Sequence, residues 1–195
     1  MTPDAQKNLD DRLLVAGFTG DTRTVRLLLA AGARVRADSD YALRAAASNG
    51  HTETVQVLLA SGANVHANDE HALFLAADTG HAKTVKVLLA AGADVHTGND
   101  YALRWAALNG HTETVQVLAR HIFAPDSWRG KSRAEIEAQA TALYDKIKAS
   151  GATPECLLKA AKILADCAID CWHQVRPAPP SGFKISPIPA QPRPV

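Results

Sequence analysis

The chain has 195 residues, of which 47% are hydrophobic, enough for a well-buried core. Its 21 basic and 20 acidic residues nearly cancel, without the clustered basic footprint typical of nucleic-acid binding. No stretch approaches 18 apolar residues and no secretory signal is visible, so we expect a cytoplasmic protein with neither nucleic-acid nor membrane partners. Secretion by a route independent of a signal peptide stays open.

The amino terminus predicts a helix from about Pro3 to Phe18. Thr2 can cap its first turn through the hydroxyl, and proline is favoured at the first helical position. The polar extension of this helix is expected to cover the open end of the elements that follow.

Glycine then recurs with a period of 30 residues. One set is Gly20, Gly50, Gly80 and Gly110, and a second is Gly32, Gly62 and Gly92. A fixed period indicates an array of one small unit. Apolar residues at helical spacing before each glycine predict helix, turn, helix and turn, and such units become stable only by stacking.

Polar residues precede the first helix of each unit. Ser39, Asp69 and Asn99 are predicted to cap these helices through their side chains. The acidic residues that follow, Asp40, Glu70 and Asp100, would place negative charge at the positive end of the helix dipole.

The units share the pattern AA-x-x-GH-x-x-x-V-x-x-LL-x-x-GA-x-V. It runs from Ala46 to Val65 and from Ala76 to Val95, with weaker copies from Ala16 to Val35 and from Ala106 to Leu118. This pattern resembles the ankyrin repeat over about residues 9–121. The resemblance implies an all-α ankyrin-repeat solenoid of four helix-turn-helix units, at approximately 9–38, 39–68, 69–98 and 99–121.

Two departures from the ankyrin pattern bear on binding. The familiar Thr-Pro-Leu-His opening is replaced by Tyr41-Ala-Leu-Arg44 and its equivalents. The period is also about three residues shorter than usual, and the loss falls where the family carries its projecting finger. The resemblance therefore implies that helix faces, more than fingers, contact a partner.

The array is predicted to end at Ile122, because a β-branched residue resists the left-handed conformation of a glycine turn. Ser132 and Glu135 form a capping box for a helix to about Ser150, and Thr153-Pro154 opens another to about Gln174. We interpret residues 122–174 as a two-helix carboxy-terminal cap. Residues 175–195, with seven prolines from 177 onwards, are predicted to be a flexible tail.

Three cysteines share one face of the last predicted helix. Cys156, Cys167 and Cys171 are expected to form a buried stripe of reduced thiols. A disulfide framework is not expected from an odd number of cysteines crowded into one helix.

A comparison of the second and fourth units indicates a binding surface. When the segments Tyr41–Leu58 and Tyr101–Leu118 are aligned, they differ at only two positions. Ala45 of the second unit corresponds to Trp105 of the fourth, and Ser48 corresponds to Leu108. Positions three apart share a helix face, which by the resemblance lines the concave surface. Two nearly identical repeats that differ only on one helix face are typical of a binding surface adapted to a particular partner. The alternative is that Trp105 and Leu108 pack beneath the cap.

Aromatic and arginine residues at the start of the same helices extend this surface, since these types are common interface anchors. Their alternative role is packing between repeats. The predicted partner-binding residues are Phe18, Tyr41, Arg44, Ala45, Ser48, His71, Phe74, Leu75, Asp78, Tyr101, Arg104, Trp105 and Leu108.

Histidines are numerous, but the repeat explains most of them. His51, His81 and His111 stand in the Gly-His turns, and stacked helices lie about 8–10 Å apart, too far for equivalent histidines to share zinc. No phosphate loop, nucleophile elbow or HExxH sequence is present. We therefore expect no catalytic residues, no metal and no cofactor.

These features predict a monomeric, non-catalytic scaffold that binds a partner protein through its concave helix face. Two alternatives remain at this stage. The repeats could deliver a regulatory or effector activity of the carboxy-terminal helices, or the groove could be filled by the tail in a purely structural role.

Overall fold

A computed structural model describes residues 2–175, and within that range the secondary structure is entirely helical. The helices are α1 (Pro3–Thr19), α2 (Thr22–Ala30), α3 (Ala37–Ser48), α4 (Thr52–Ala60), α5 (Ala67–Asp78), α6 (Ala82–Ala90), α7 (Thr97–Leu108), α8 (Thr112–Ile122), α9 (Pro125–Trp128), α10 (Arg133–Ala149) and α11 (Pro154–Val175). Of the tail predicted at 175–195, Val175 is the last residue of α11, and the rest lies outside the described residues.

The helices form pairs that stack on one another. Each first helix (α1, α3, α5, α7) packs on its own second helix (α2, α4, α6, α8). First helices also pack on the next first helix, and second helices on the next second helix. The pair α10 and α11 extends this arrangement, because α10 packs on α7 and α11 on α8.

The core is a column of leucines repeated at the period of the sequence. Leu13, Leu43, Leu73 and Leu103 from the first helices are at most 1% exposed. Alanines around them are also buried, and such small side chains allow neighbouring helices to approach closely. Each unit thus buries its apolar residues between its own two helices and against the neighbouring units.

Successive units are joined by an unusual left-handed turn inside the helices α3, α5 and α7. In the first of these turns, Asp38, Ser39 and Asp40 have φ of 50°, 54° and 59°. The equivalent turns are Asn68-Asp-Glu70 and Gly98-Asn-Asp100. Asp, Asn and Gly tolerate this conformation best, and they make up these turns except at Ser39 and Glu70.

These turns correct one detail of the sequence interpretation. Ser39, Asp69 and Asn99 lie in the left-handed region, whereas a capping residue normally has an extended backbone. Within residues 2–175 none of the three forms a side-chain cap to its helix. A tight left-handed turn therefore stands where the sequence predicts a cap.

The second helix of the fourth pair ends differently from the other second helices. Helix α8 continues through this residue, which is 4% exposed, where the other second helices give way to glycine turns. The short helix α9 was not predicted. Trp128 from α9 donates its Nε1–H to the carbonyl oxygen of Ile122 at 2.8 Å and stacks on Phe123.

The two carboxy-terminal helices begin as predicted. The capping box of Ser132 and Glu135 is confirmed, with both reciprocal hydrogen bonds formed. In α11, Cys167 and Cys171 are buried and Cys156 is partly buried, all as free thiols. Burial raises the pKa of the Cys167 and Cys171 thiols, so both remain protonated at neutral pH.

Candidate partner-binding surface

The predicted binding residues lie on the first helices of the four pairs, and we call their surface the first-helix face. Phe18, Tyr41 and Tyr101 are exposed there, at 55%, 39% and 38%. Ala45 is 7% exposed, so its methyl group offers a partner almost no surface. The remaining predicted residues are half-buried: Arg44, Ser48, His71, Phe74, Leu75, Asp78, Arg104, Trp105 and Leu108.

An aromatic cluster joins the third and fourth units, with Phe74 at its centre. The Phe74 ring lies 4.7 Å from the Tyr101 ring, 5.7 Å from His71 and 6.2 Å from Trp105, measured between centroids. Tyr101 and Trp105 are 5.6 Å apart and tilted. Such tilted and edge-on pairs hold one another in place, so the cluster is a rigid apolar patch.

Trp105 and Leu108, which distinguish the fourth unit from the second, have different surroundings. The ring partners of Trp105 are Phe74 and Tyr101, on the first-helix face. Leu108 packs against the hydrophobic core. The larger side chain at position 105 therefore completes the aromatic cluster, whereas position 108 contributes mainly to packing.

The two arginines of the face are held by different contacts. Arg44 lies over the Tyr41 ring at 5.4 Å and donates hydrogen bonds to the carbonyl oxygens of Ser39 and Asp38. Arg104 lies 5.9 Å over the Tyr101 ring and donates from Nε to Ser150 Oγ of α10 at 2.7 Å. Both cations thus combine contact with an aromatic face and a fixed hydrogen bond.

The polar middle of the face also takes part in contacts between units. Asp78 Oδ1 accepts a hydrogen bond from Asn109 Nδ2 at 2.8 Å, which links the third unit to the fourth. Burial lowers the pKa of His71, and the positive charge of Arg44 lowers it further. The neutral imidazole is therefore the favoured form of His71 near neutral pH.

Each first helix contributes one acid to a buried acidic column: Asp10, Asp40, Glu70 and Asp100, at 4%, 4%, 6% and 2% exposure. The sequence interpretation assigned the last three to the helix dipole and overlooked both their burial and Asp10. The signal was present, since an acid recurs at this position every 30 residues. The periodicity could not show which group each carboxylate would meet.

Each member of the acidic column has its own partners. Asp10 accepts the Arg34 backbone amide at 2.7 Å and pairs with the Arg34 guanidinium. Asp40 accepts the Asn64 backbone amide at 2.8 Å. The other two acids contact histidines four residues earlier: His66 Nδ1 lies 2.5 Å from Glu70 Oε1, and His96 Nδ1 lies 2.7 Å from Asp100 Oδ1. Asp100 also pairs with Lys146 of α10.

Residues 2–175 contain neither a cluster of metal-ligand side chains nor a membrane-spanning helix. No three His, Cys, Asp or Glu side chains in this range come together as metal ligands. In the same range, every helix is too short or too polar to cross a bilayer.

The stacked helix pairs define a helical repeat solenoid. Residues 13–99 match the family model described as ankyrin repeats, in three copies, so this part of the chain is built of ankyrin repeats. The resemblance inferred from the Gly-His pattern is thus confirmed. A comparison with curated protein sequences gives no match. Ankyrin repeats generally mediate protein–protein interaction and are typically non-catalytic scaffolds.

Proposed function

We propose that this chain is a non-catalytic scaffold that binds a partner protein through the first-helix face. The observation that carries the proposal is the aromatic cluster of Phe74, Tyr101 and Trp105 beside Arg104. Tyrosine, tryptophan and arginine dominate interface hot spots, because they bury much area while keeping a polar group. Here they lie together at one end of the face, with Tyr101 exposed and Trp105 and Arg104 half-buried, and their side chains contact one another.

Preorganisation is the mechanism of binding in this proposal. Ordering loose side chains at an interface costs affinity, about 0.5–1.5 kcal/mol for each flexible side chain. Arg44 and Arg104 already form fixed hydrogen bonds in the free protein. The face therefore loses little conformational entropy when a partner docks.

The contacts of the carboxy-terminal helices favour a cap over a separate effector body. Helix α10 packs on α7 and α11 on α8, in the same way that each earlier pair packs on its predecessor. The side chains of Lys146 and Ser150 reach Asp100 and Arg104 of α7. These helices thus cover the exposed end of the fourth unit.

Affinity capture from the native source, with alanine variants on and off the first-helix face, tests the proposal. Trp105→Ala and Arg104→Ala should lose proteins that the unchanged chain retains, because both remove anchors from the face. Leu27→Ala is the control, since Leu27 is a 62% exposed side chain on the second helix α2.

The result is interpretable only for folded variants, which circular dichroism and thermal unfolding establish. Retention of every captured protein by folded Trp105→Ala and Arg104→Ala would contradict binding through this face. Equal losses in the Leu27→Ala control would contradict it as well.

A further inference from the structure

A cavity of about 520 Å³ lies between the left-handed turns of the third and fourth units. It is within the size range of ligand pockets. Its walls include the aromatic side chains Phe74 and Tyr101 of the cluster described above, together with Glu70 of the acidic column. We call it the inter-turn cavity.

The charged side chains that line the inter-turn cavity are acidic. Asp69, Glu70 and Asp94 line the cavity, and no lysine or arginine does so among residues 2–175. The lining His71 has a lowered pKa, caused first by burial and then by Arg44, so it adds little positive charge near neutral pH. A cation is therefore the favoured occupant on electrostatic grounds.

Glu70 has an unsatisfied oxygen. Its side chain is 8% exposed, and its Oε1 accepts a hydrogen bond from His66. Its Oε2 is buried and has no hydrogen-bond partner within residues 2–175. A buried carboxylate oxygen without a donor is costly, so the site is incomplete as it stands.

The equivalent acids show what kind of group completes such a site. Asp100 has a histidine on Oδ1, like Glu70, but its Oδ2 meets the ammonium group of Lys146. Asp10 pairs through Oδ2 with the guanidinium of Arg34. Two of the four acids in the column are thus completed by a basic side chain of this same chain.

The aromatic walls suit the same occupant. The rings of Phe74 and Tyr101 lie 4.7 Å apart and tilted, and both line the inter-turn cavity. Aromatic faces attract ammonium and guanidinium groups and also pack against their aliphatic stems. Arg104 already uses the Tyr101 ring in this way, with its guanidinium 5.9 Å from the ring centroid.

We propose that the inter-turn cavity receives a basic side chain, arginine or lysine, of the partner protein, with its charged group on Glu70 Oε2. The aliphatic stem lies along Phe74 and Tyr101. This inference rests on the proposed function, because the cavity opens beside the aromatic cluster of the first-helix face. It assigns to that surface a preference for a segment that carries an exposed basic residue.

The direct test uses the full chain at pH 7 with N-acetyl-arginine methylamide as the probe. The corresponding lysine and citrulline compounds are compared, because citrulline has the shape of arginine without its charge. Amide shifts of Gly98, Tyr101 and Ala102 should report binding of the arginine and lysine probes with Kd of order 1 mM. The stronger of the two identifies the preferred residue. Equal binding of arginine and citrulline would overturn the proposal.

Two variants at position 70 refine the test. Glu70→Gln keeps the size of the side chain but removes its charge, and should weaken arginine binding at least about tenfold, typical of a lost charged contact. Glu70→Asp shortens the side chain towards the arrangement of Asp40, and should weaken binding similarly. Glu53→Gln, at an exposed glutamate of α4, should bind as the unchanged chain does. Unchanged arginine affinity in either folded variant at position 70 would contradict the assignment.

Two further outcomes separate this inference from the proposed function. If Trp105→Ala loses captured proteins but Glu70→Gln retains them all, the cavity assignment fails while the first-helix face stands. If a chain ending at residue 175 binds the arginine probe more than tenfold tighter, a basic residue of segment 176–195 competes for the cavity. That result would overturn the partner as its occupant.

Discussion

The imidazole ring of His111 lies directly against the backbone of Gly80 in the preceding unit. A Cβ atom at Gly80 would lie 2.5 Å from His111 Nδ1, closer than side chains pack. The same ring donates from Nε2 to the carbonyl oxygen of Asp78 at 2.8 Å. Glycine is thus required at position 80 for two reasons: a Cβ atom has no room, and φ of +82° lies in the left-handed region that favours glycine. Gly20 and Gly50 meet His51 and His81 in the same way, so the glycine of one turn contacts the histidine of the next unit.

A comparison of Gly80 with Gly92, which has a similar φ, distinguishes the effect of the left-handed backbone from that of the crowding by His111. Gly92 has φ of +94° but open space where a Cβ would lie, so Gly92→Ala should cost only the left-handed strain, about 1 kcal/mol. Gly80→Ala should cost about 3 kcal/mol, because it also displaces His111 and its hydrogen bond. Urea unfolding measures both. Equal losses would show that His111 moves aside without penalty.

A missing hydroxyl leaves Thr114 unsatisfied. Thr22 and Thr54 share a hydrogen bond at 2.8 Å, and Thr52 and Thr84 share one at 2.9 Å. The equivalent partner of Thr114 would be residue 82, which is alanine, and Thr114 Oγ1 is buried without a partner within residues 2–175. Ala82→Thr should stabilise the protein by about 1 kcal/mol.

Ala82→Val is the matched control for that substitution, because valine has the shape of threonine without its hydroxyl. It should give no gain in the free energy of unfolding. A gain as large as that of Ala82→Thr would assign the effect to packing at position 82.

The ion pair of Lys146 and Asp100 attaches the cap to the fourth unit. The Asp100 side chain is 3% exposed, so removal of its cationic partner leaves a buried charge supported by His96 alone. Lys146→Met should lower stability by about 2 kcal/mol. Lys148→Met, at an exposed position of the same helix, should change it little. Similar thermal shifts in the two variants would contradict a structural role for this pair.

Asp10 should make stability depend on pH in the acid range. Burial alone would raise the pKa of Asp10, but hydrogen bonds from the Arg34 backbone and side chain and from Gln6, with the Arg34 charge, lower it overall. A carboxyl whose pKa is lower in the folded state stabilises above its unfolded pKa of about 3.9, and this contribution is lost as pH falls through the folded value.

Asp10→Asn should therefore lower the free energy of unfolding by about 1 kcal/mol at pH 6–7, and with it the melting temperature. Well below pH 4 the loss should be much smaller. The exposed neighbour Asp11 provides the control, Asp11→Asn. Thermal unfolding at several pH values measures the difference. A deficit in Asp10→Asn that stays constant from pH 7 to well below pH 4 would exclude the charged form as its origin.

The predicted binding residues show what the sequence period can predict about the surface and what it cannot. Comparison of the second and fourth units selected Trp105 and Leu108 equally, yet only Trp105 joins the aromatic cluster while Leu108 packs on the core. Similarly, Ala45 was selected as the counterpart of Trp105 but is buried. Periodicity assigns a residue to a helix face, and the size of its neighbours then decides whether it reaches the surface.

The sequence by itself determined the repeat, the helix pairs and the capping box at Ser132, because these depend on local spacing and on residues with strong backbone preferences. Only the tertiary structure decided that His111 rests on Gly80, that Lys146 meets Asp100, and that Glu70 Oε2 meets no donor within residues 2–175. The two contacts, of His111 with Gly80 and of Lys146 with Asp100, join residues about 30 or more positions apart. They depend on the exact distance between stacked units, which no local pattern encodes.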